Sequence, residues 1–185
     1  MKTILLCIII IIFLPFSSHG QNEIRESYSN TGGLRVSNIS GYGVYYNRKI
    51  TDDFRVQIMG LAFYYYGDIK NEIHKNFNYE AGLELQRDIT KNQKFRLYIL
   101  AGAYYYFDDD ELISEINSIQ KVNKSFNIGV GIALEYYFKR FVFSVDLGYK
   151  YFEDKKVITE NDNLPYPELF RVTKVGAGVG IGFMF

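Results

Sequence analysis

Charged residues recur within stretches of the sequence that otherwise alternate between apolar and small or polar residues. An unpaired ion in a confined interior carries a desolvation penalty of several kcal/mol, so opposite charges placed there should pair with one another. Such a set supports either a charged conduction path or a salt-bridged polar core, and the core is the interpretation we favour. The charged residues at the non-apolar positions are Arg55, Glu80, Glu84, Arg96, Glu135, Asp146 and Lys150.

The elements that carry these charges are predicted to be β-strands. Between positions 126 and 138 every second residue is apolar, which is the pattern of a two-faced strand. Similar alternation begins at Phe77, Phe95, Phe141 and Val175, and shorter examples cover residues 41–48 and 54–58. The segment "GGLRV" at 32–36 is an eighth candidate. From Met59 onward the alternation is lost, and a β-bulge at that point would explain the change.

The connections between these strands alternate in length. Short polar turns, such as "RKITDD", "RDITKNQK" and "KR", alternate with long polar segments at 67–76, 108–125 and 153–169. Short turns at one end and long loops at the other are typical of a transmembrane β-barrel, which needs an even number of strands. The sequence therefore predicts an all-β fold, an eight-stranded antiparallel up-and-down transmembrane β-barrel.

Aromatic residues mark both ends of the predicted strands. Tyrosine suits a membrane interface because its ring is apolar and its hydroxyl group can meet water or lipid headgroups. The motifs "FYYYGD" and "AYYYFDDD" each place tyrosines on both faces of a strand, followed by acidic residues that indicate emergence into water. The predicted girdle residues are Tyr64, Tyr66, Tyr105, Tyr149 and Tyr151 at one interface and Phe54, Phe95 and Phe141 at the other.

A soluble barrel would also alternate, but it would turn its polar face to the solvent. In this sequence many of the non-apolar positions hold glycine, including Gly176, Gly178, Gly180 and Gly182. A solvent-facing surface so poor in side chains would be a weak choice for strand stability. Inside a narrow barrel, the same glycines would leave room for long charged neighbours. The glycine pattern therefore favours the membrane barrel.

The first 20 residues have the layout of a secretory signal. One lysine precedes an apolar run from Ile4 to Phe16, and small residues follow at Ser18 and Gly20. The run is shorter than the roughly 18 to 20 residues that a transmembrane helix needs. We expect cleavage after Gly20, leaving residues 21–185 as the barrel domain. The cleaved segment would contain Cys7, so the mature chain would have no thiol.

The mature sequence resembles the small eight-stranded outer-membrane β-barrel proteins of Gram-negative bacteria. The signal segment, the alternating strands, the Tyr and Phe girdles and the ending "GVGIGFMF" carry this resemblance. It implies a location in the cell outer membrane, with outer-membrane lipid and lipopolysaccharide as partners. It also implies that Ile181, Phe183 and Phe185 form the signal read by the barrel assembly machinery. The sequence departs from the family pattern in having no tryptophan.

Other candidate sites are weaker. The run "DDDE" at 108–111 lacks the glycine and the alternate oxygen ligands of a calcium loop, and we interpret it as a solvated loop with room for one helical turn after it. The segment "GAGVGIG" lies within a strand, so it does not indicate a nucleotide. His74 has no serine close by in sequence, which argues against a lipid A-modifying enzyme. We expect no metal and no cofactor.

The balanced net charge of the chain offers no electrostatic argument for nucleic-acid binding. We therefore expect a non-enzymatic integral outer-membrane barrel with a structural role, or a role in binding or adhesion through its surface loops. The alternative is a narrow passive channel for ions or small solutes.

Overall fold

A computed structural model describes residues 28–69, 72–114, 118–160 and 166–185. The predicted signal segment, residues 1–20, lies outside these residues. The described chain forms eight strands, and none of its elements is a helix long and apolar enough to cross a membrane. The strands are β1 (Asn30–Ser37), β2 (Gly41–Lys49), β3 (Phe54–Ile69), β4 (Glu72–Lys91), β5 (Phe95–Ser114), β6 (Ser118–Phe138), β7 (Phe141–Glu160) and β8 (Tyr166–Met184).

The eight strands form a closed barrel in chain order. Each strand pairs antiparallel with the next, and β8 closes the ring by pairing with β1 from Thr31↔Met184 to Ser37↔Gly178. Short turns at 50–53, 92–94 and 139–140 lie at the end of the barrel that also holds the chain end, where the Phe185 N–H donates to the Asn30 carbonyl at 3.0 Å. This confirms the predicted fold class. The predicted strand at 32–36 is β1, which is longer than predicted and covers Asn30–Ser37.

The first hairpin is much shorter than the rest of the barrel. β1 and β2 have 8 and 9 residues, whereas β3 to β8 have between 16 and 21. The β2–β3 ladder ends at Val44↔Gly60, and the β1–β8 ladder ends at Ser37↔Gly178. Beyond these points, six strands continue alone, and we call this part the upper wall.

The upper wall is open on one side. Within the described residues, β3 from Leu61 onward pairs only with β4, and β8 before Ala177 pairs only with β7. Two strand edges therefore face each other across the space above the short hairpin. We call this space between residues 61–69 and 166–176 the side gap.

Most of the residues in the three predicted long loops are in strands. β5 and β6 pair without interruption through most of the 108–125 segment, and β7 and β8 pair through the described part of 153–169. Polar cross-strand pairs hold these extensions together, among them Lys75–Glu111 at 3.0 Å and Arg171–Glu153 at 2.7 Å. The prediction failed here because a strand that meets water on both faces loses its apolar alternation. The helical turn suggested after Glu111 is also wrong, since β5 continues to Ser114.

The suggested bulge near Met59 is absent from the β3 ladders, which are regular from Phe54 to Ile69. The described β-bulge lies instead in β4, between Asp88 and Thr90. Alternation fades in β3 because both faces of its upper half are exposed beside the side gap. Phe63 is 57 % exposed and Tyr65 is 52 % exposed, although both lie on the inward face.

The barrel is apolar outside and polar inside. Large apolar side chains on the outward faces of all eight strands are exposed, as Leu34, Ile58, Leu83 and Val145 show. The inward faces bury charged and amide side chains instead. This is the reverse of a soluble barrel and the arrangement that a hydrocarbon solvent requires.

Close backbone contact at Gly148 gives a first test of the packing. A Cβ atom added there would lie 2.2 Å from the Val130 carbonyl oxygen, a backbone atom that cannot move without separating β6 and β7. We expect Gly148→Ala to lower the free energy of unfolding in detergent by about 1 to 3 kcal/mol, as overpacking usually does. Gly32→Ala is the control, because the nearest atom to a Cβ added at Gly32 would be in the flexible Phe185 ring, 3.4 Å away. Equal urea midpoints for the two variants would contradict the prediction.

Candidate functional site

The turn that joins β1 and β2 folds inward and divides the interior of the barrel. Ile39, at 0 % exposure, packs against Tyr98, Leu100 and Ala133 of the opposite wall. A Cβ atom at Gly129 would lie 2.5 Å from the Ile39 carbonyl oxygen, so only glycine lets the turn approach β6 this closely. The turn therefore separates a lower lumen from an upper cavity.

The lower lumen contains a first cluster around Arg35, which is 2 % exposed. Its guanidinium donates to Asp146 Oδ2 at 2.9 Å and to Glu84 Oε1 at 3.3 Å, so one cation serves two carboxylates. The Ser37 hydroxyl donates to the other Asp146 oxygen at 2.7 Å. Tyr104 donates to Glu84 Oε2 at 2.7 Å. Both carboxylates are thus held by several hydrogen bonds.

A second cluster surrounds Arg96, which is fully buried. Its guanidinium pairs with Asp88 and with both oxygens of Glu135, the latter at 3.3 Å, and lies 3.9 Å from the centre of the Tyr98 ring. Tyr137 donates to Glu135. A buried charge is tolerated when it is paired and hydrogen-bonded in this way.

Gln86 connects the two clusters. Its side-chain oxygen accepts from Arg96 at 2.7 Å, and its amide nitrogen donates to Glu84 Oε1 at 2.7 Å. Asn47 donates to the same Gln86 oxygen at 2.9 Å. The polar side chains thus form one continuous network across the lower lumen, which an eight-stranded barrel is just wide enough to hold.

The upper cavity lies above the turn and has a volume of about 620 Å³. Most of its walls are inward-facing side chains of β4 to β8, among them Glu80, Tyr106 and Asn127. Tyr42 and Val175 also line it, although both lie on outward faces. A cavity bounded by residues of both faces must pass through the wall, so the upper cavity opens to the outside through the side gap.

Two lysines face each other in the upper cavity. Lys150 and Lys174 are direct partners in the β7–β8 ladder and both line the cavity. Their ammonium nitrogens lie 5.7 and 5.0 Å from the centre of the same ring, that of Phe152. Among the described residues, no carboxylate lies within 4.0 Å of either nitrogen. Like charges directly opposite on adjacent strands destabilise a sheet, and Glu80 and Asp154 of the cavity lining offset part of this repulsion at Lys150.

The outer surface carries aromatic side chains at two levels. At the level of the short turns, Phe95 contacts Tyr136 with ring centres 5.2 Å apart, and Phe141 contacts Phe183 at 5.6 Å. At the other level, Tyr105 contacts Tyr79 at 6.0 Å. The predicted girdle residues are all on outward faces: Tyr64, Tyr66, Tyr105, Tyr149 and Tyr151 at the upper level, and Phe54, Phe95 and Phe141 at the lower.

An apolar outer band between two aromatic levels, around a closed ring with a polar interior, is diagnostic of barrels that span the outer membrane. The protein is an outer-membrane-type β-barrel. Its short turns belong on the periplasmic side, and the upper wall belongs on the outer side.

Comparison with known proteins gives neighbours only at the level of the fold. The chain matches no protein-family model and no curated protein. Among solved structures, it is similar to a major outer membrane protein from Thermus thermophilus, with 10 % identity, a TM-score of 0.49, and 85 % of this chain and 100 % of that chain covered.

Two further barrels are similar in the same way. The attachment invasion locus protein Ail of Yersinia pestis has 18 % identity and a TM-score of 0.44, with 85 % of this chain and 97 % of that chain covered. The N-terminal β-barrel domain of Pseudomonas aeruginosa OprF has 18 % identity and a TM-score of 0.47, with coverage of 85 % and 96 %.

The structure separates the predicted interior charges into two groups. Glu84, Arg96, Glu135 and Asp146 belong to the lower network, and Arg55 is buried on the same face. The other two, Glu80 and Lys150, line the upper cavity.

Sequence reasoning missed several members of the network. Arg35 was missed because its strand is short, and Asp88 because the bulge beside it interrupts the alternation. Gln86 lies on the inward face of β4, in the alternation that begins at Phe77. A polar amide at an inward position was the sequence feature that could have indicated its place in the network.

The C-terminal residues lie where the barrel closes. Ile181 and Phe183 stand on the outward face of β8, opposite Leu34 and Gly32 of β1, and the Phe185 ring lies 6.4 Å from that of Tyr46. The last strand thus presents apolar side chains outward at the closing seam. Recognition by an assembly factor stays a prediction.

The acidic run at 108–111 is divided among different partners. His74 lies 2.5 Å from Asp110, whereas Asp109 accepts from Gln120 at 2.9 Å. The hydrogen bond from Lys75 to Glu111 raises the pKa of that lysine. In the described part of the chain, no group of three acidic, histidine or cysteine side chains converges as a metal site would require.

Proposed function

We propose that the protein is a non-conducting, non-enzymatic barrel that acts by binding at its outer end, in the upper cavity and on the upper wall. The observation that supports this most directly is the filled lower lumen. The Arg35 and Arg96 clusters, joined through Gln86, occupy the cross-section, and the turn at Ile39 covers them from above. An interior of this width leaves space for small water pockets at most.

Binding at the outer end follows from what the upper half contains. The upper wall carries polar and apolar side chains well beyond the aromatic level. The upper cavity has a volume of about 620 Å³, which is within the range of ligand pockets. Its lining is mostly polar, with four charged side chains and three asparagines beside the rings of Tyr42, Tyr106 and Phe152, so it suits a ligand with a polar or charged group.

Conductance of the refolded chain, residues 21–185, tests the non-conducting part of the proposal. We expect no steady openings in a planar bilayer, because the network and the turn block the lumen in series. A heat-dependent shift in gel mobility must first show that the barrel is folded. Steady ion-selective openings from folded protein would contradict the proposal and would make Glu84 and Arg96 the first candidates for a gate.

The absence of enzymatic activity has a test of its own. Residues 21–185 contain one histidine, His74. It lies on the extension of β4 beside Asp110 and against the Tyr65 ring. We expect His74→Ala to leave the lipid A of expressing cells unchanged, as judged by mass spectrometry. Loss of a modification that the unaltered protein introduces would show a lipid enzyme instead.

Biogenesis completes the proposal. Residues 1–20 would direct export across the inner membrane, and the assembly machinery would read Ile181, Phe183 and Phe185. In the outer membrane, the apolar band would contact lipid and lipopolysaccharide.

A further inference from the structure

We propose that the upper cavity is a binding site for an outer-leaflet lipid with a phosphate-bearing headgroup, whose acyl chain enters through the side gap. The headgroup would lie between Lys150 and Lys174, and the chain would leave over Tyr42 and Val175. This inference rests on the binding role proposed above and extends it, because it names the class of ligand.

The two lysines provide the site for phosphate. They are direct cross-strand partners, and both ammonium groups converge on the Phe152 ring. Glu80 also lines the cavity and attracts Lys150, and one of its oxygens accepts the Tyr42 N–H at 3.3 Å, a backbone group that has no partner in the β2–β3 ladder. Asp154 also lines the cavity, so the site is polar throughout but holds two cations side by side. An anion between them would turn their repulsion into attraction, with charge-assisted hydrogen bonds to both.

The side gap provides the route from the membrane. It begins above Gly60 on β3 and beside Gly176 on β8, and the outward neighbours at this level include Tyr64 and Val175 of the apolar band. Since Val175 lines the cavity and also faces outward, the cavity is continuous with the lipid-facing surface. A lipid can reach the lysines sideways without crossing the aqueous outer surface.

The walls of the gap suit an acyl chain on their inner side. Phe63 and Tyr65 stand on the inward face of β3, and Phe170 and Val172 stand on the inward face of β8, each exposed. In the lower lumen, by contrast, the inward residues of β3 are Arg55, Gln57 and Met59, and the inward positions of β8 from 176 to 182 are glycines. The motif "FYYYGD" therefore places aromatic rings on both faces of β3 beside the opening.

The backbone edges of the gap favour a polar headgroup as well. These edges lie at and above the aromatic level, so their unpaired N–H and C=O groups meet water or lipid headgroups rather than hydrocarbon. Phosphate, ester and hydroxyl groups of a lipid offer partners for those edges, which a pure hydrocarbon does not. The ligand should therefore carry both a tail and a hydrogen-bonding headgroup.

Tryptophan fluorescence can test this inference, because the sequence contains no tryptophan. Phe152→Trp places one indole next to both lysines, and it keeps an aromatic face for them. The variant, folded in dodecyl maltoside micelles, is titrated with phosphatidylglycerol brominated on its acyl chains and, separately, with diacylglycerol that carries the same chains. Tyr149→Trp is the matched control on the outward face of the same strand, where both lipids should quench alike.

We expect brominated phosphatidylglycerol to quench Phe152→Trp at about tenfold lower mole fraction than the diacylglycerol, since two charge-assisted contacts favour the phosphate lipid. Adding Lys150→Gln and Lys174→Gln should remove this difference. Adding Lys155→Gln, on the exposed outward face of β7, should leave it unchanged. Millimolar inorganic phosphate should not relieve the quenching, because the acyl chain contributes to binding.

Three results would overturn the inference: quenching of Tyr149→Trp without quenching of Phe152→Trp, equal quenching by the two lipids, or relief by inorganic phosphate, which would indicate a site for free anions. Heat-dependent gel mobility checks the folding of every variant. If Phe152→Trp does not fold, Phe170→Trp reports from the other wall, opposite Asp154 in the ladder. Conductance is measured separately, so steady openings would refute the non-conducting role without affecting this result.

Discussion

Replacing Arg96 with methionine is expected to lower the free energy of unfolding by about 3 to 5 kcal/mol. Arg96 is fully buried, and the substitution leaves the carboxylates of Asp88 and Glu135 without their shared cation. Methionine is about as long as the aliphatic part of arginine, so the main change is the loss of the guanidinium group and its charge. Urea denaturation in detergent micelles, followed by tyrosine fluorescence or gel mobility, measures the change.

Arg171→Met is the matched control for this prediction. Arg171 also pairs with a carboxylate, Glu153, at 2.7 Å, but its side chain is 59 % exposed on the outward face of the upper wall. An exposed ion pair contributes about 0 to 1 kcal/mol, so its loss should shift the urea midpoint little. Similar losses for Arg96→Met and Arg171→Met would show that the lower network does not stabilise the barrel as an interior charge cluster.

The second large effect is expected for Glu84→Ala, also about 3 to 5 kcal/mol. Glu84 is 1 % exposed and accepts hydrogen bonds from Arg35, Tyr104 and Gln86. Its removal leaves Arg35 with Asp146 as its remaining described carboxylate partner, and it leaves the Tyr104 hydroxyl buried without this acceptor. The urea midpoint should therefore fall markedly.

Glu80→Ala provides the comparison on the same face of the same strand. Glu80 lines the upper cavity, and its described hydrogen bond is the one from Tyr42 N–H. Loss of a single hydrogen bond at a partly solvated site should cost about 1 kcal/mol. An unchanged midpoint for Glu84→Ala would exclude a stabilising role for its carboxylate. A loss equal to that of Glu80→Ala would show that the lower lumen is as well solvated as the upper cavity.

The positions of strand centres could be predicted from the sequence, whereas their outer ends could not. Near the membrane, one face meets hydrocarbon and the other a polar interior, so large apolar residues recur at every second position of 126–138 and 141–151. Above the aromatic level both faces meet water, and polar pairs such as Lys75–Glu111 replace the alternation. Polar strands of this kind have the composition of loops, which is why the sequence predicts loops at 67–76, 108–125 and 153–169.

The members of the lower network could be predicted only in part. Glu84, Arg96, Glu135 and Asp146 follow from their place in the alternation. Their grouping does not, because it depends on which strands lie opposite each other across the lumen. Arg35 lies on the shortest strand, where few residues show the alternation, yet it joins Glu84 on β4 to Asp146 on β7.

The sequence by itself determined the inside-out polarity of this protein and its closure into eight antiparallel strands, because alternation and turn spacing are local patterns that one chain displays directly. The tertiary structure alone decided that the first hairpin stops short and turns Ile39 into the lumen, and that a side gap results. It also decided that Lys150 and Lys174 converge on one ring. These features depend on register between neighbouring strands and on packing across the barrel, which bring together residues that are distant in the chain.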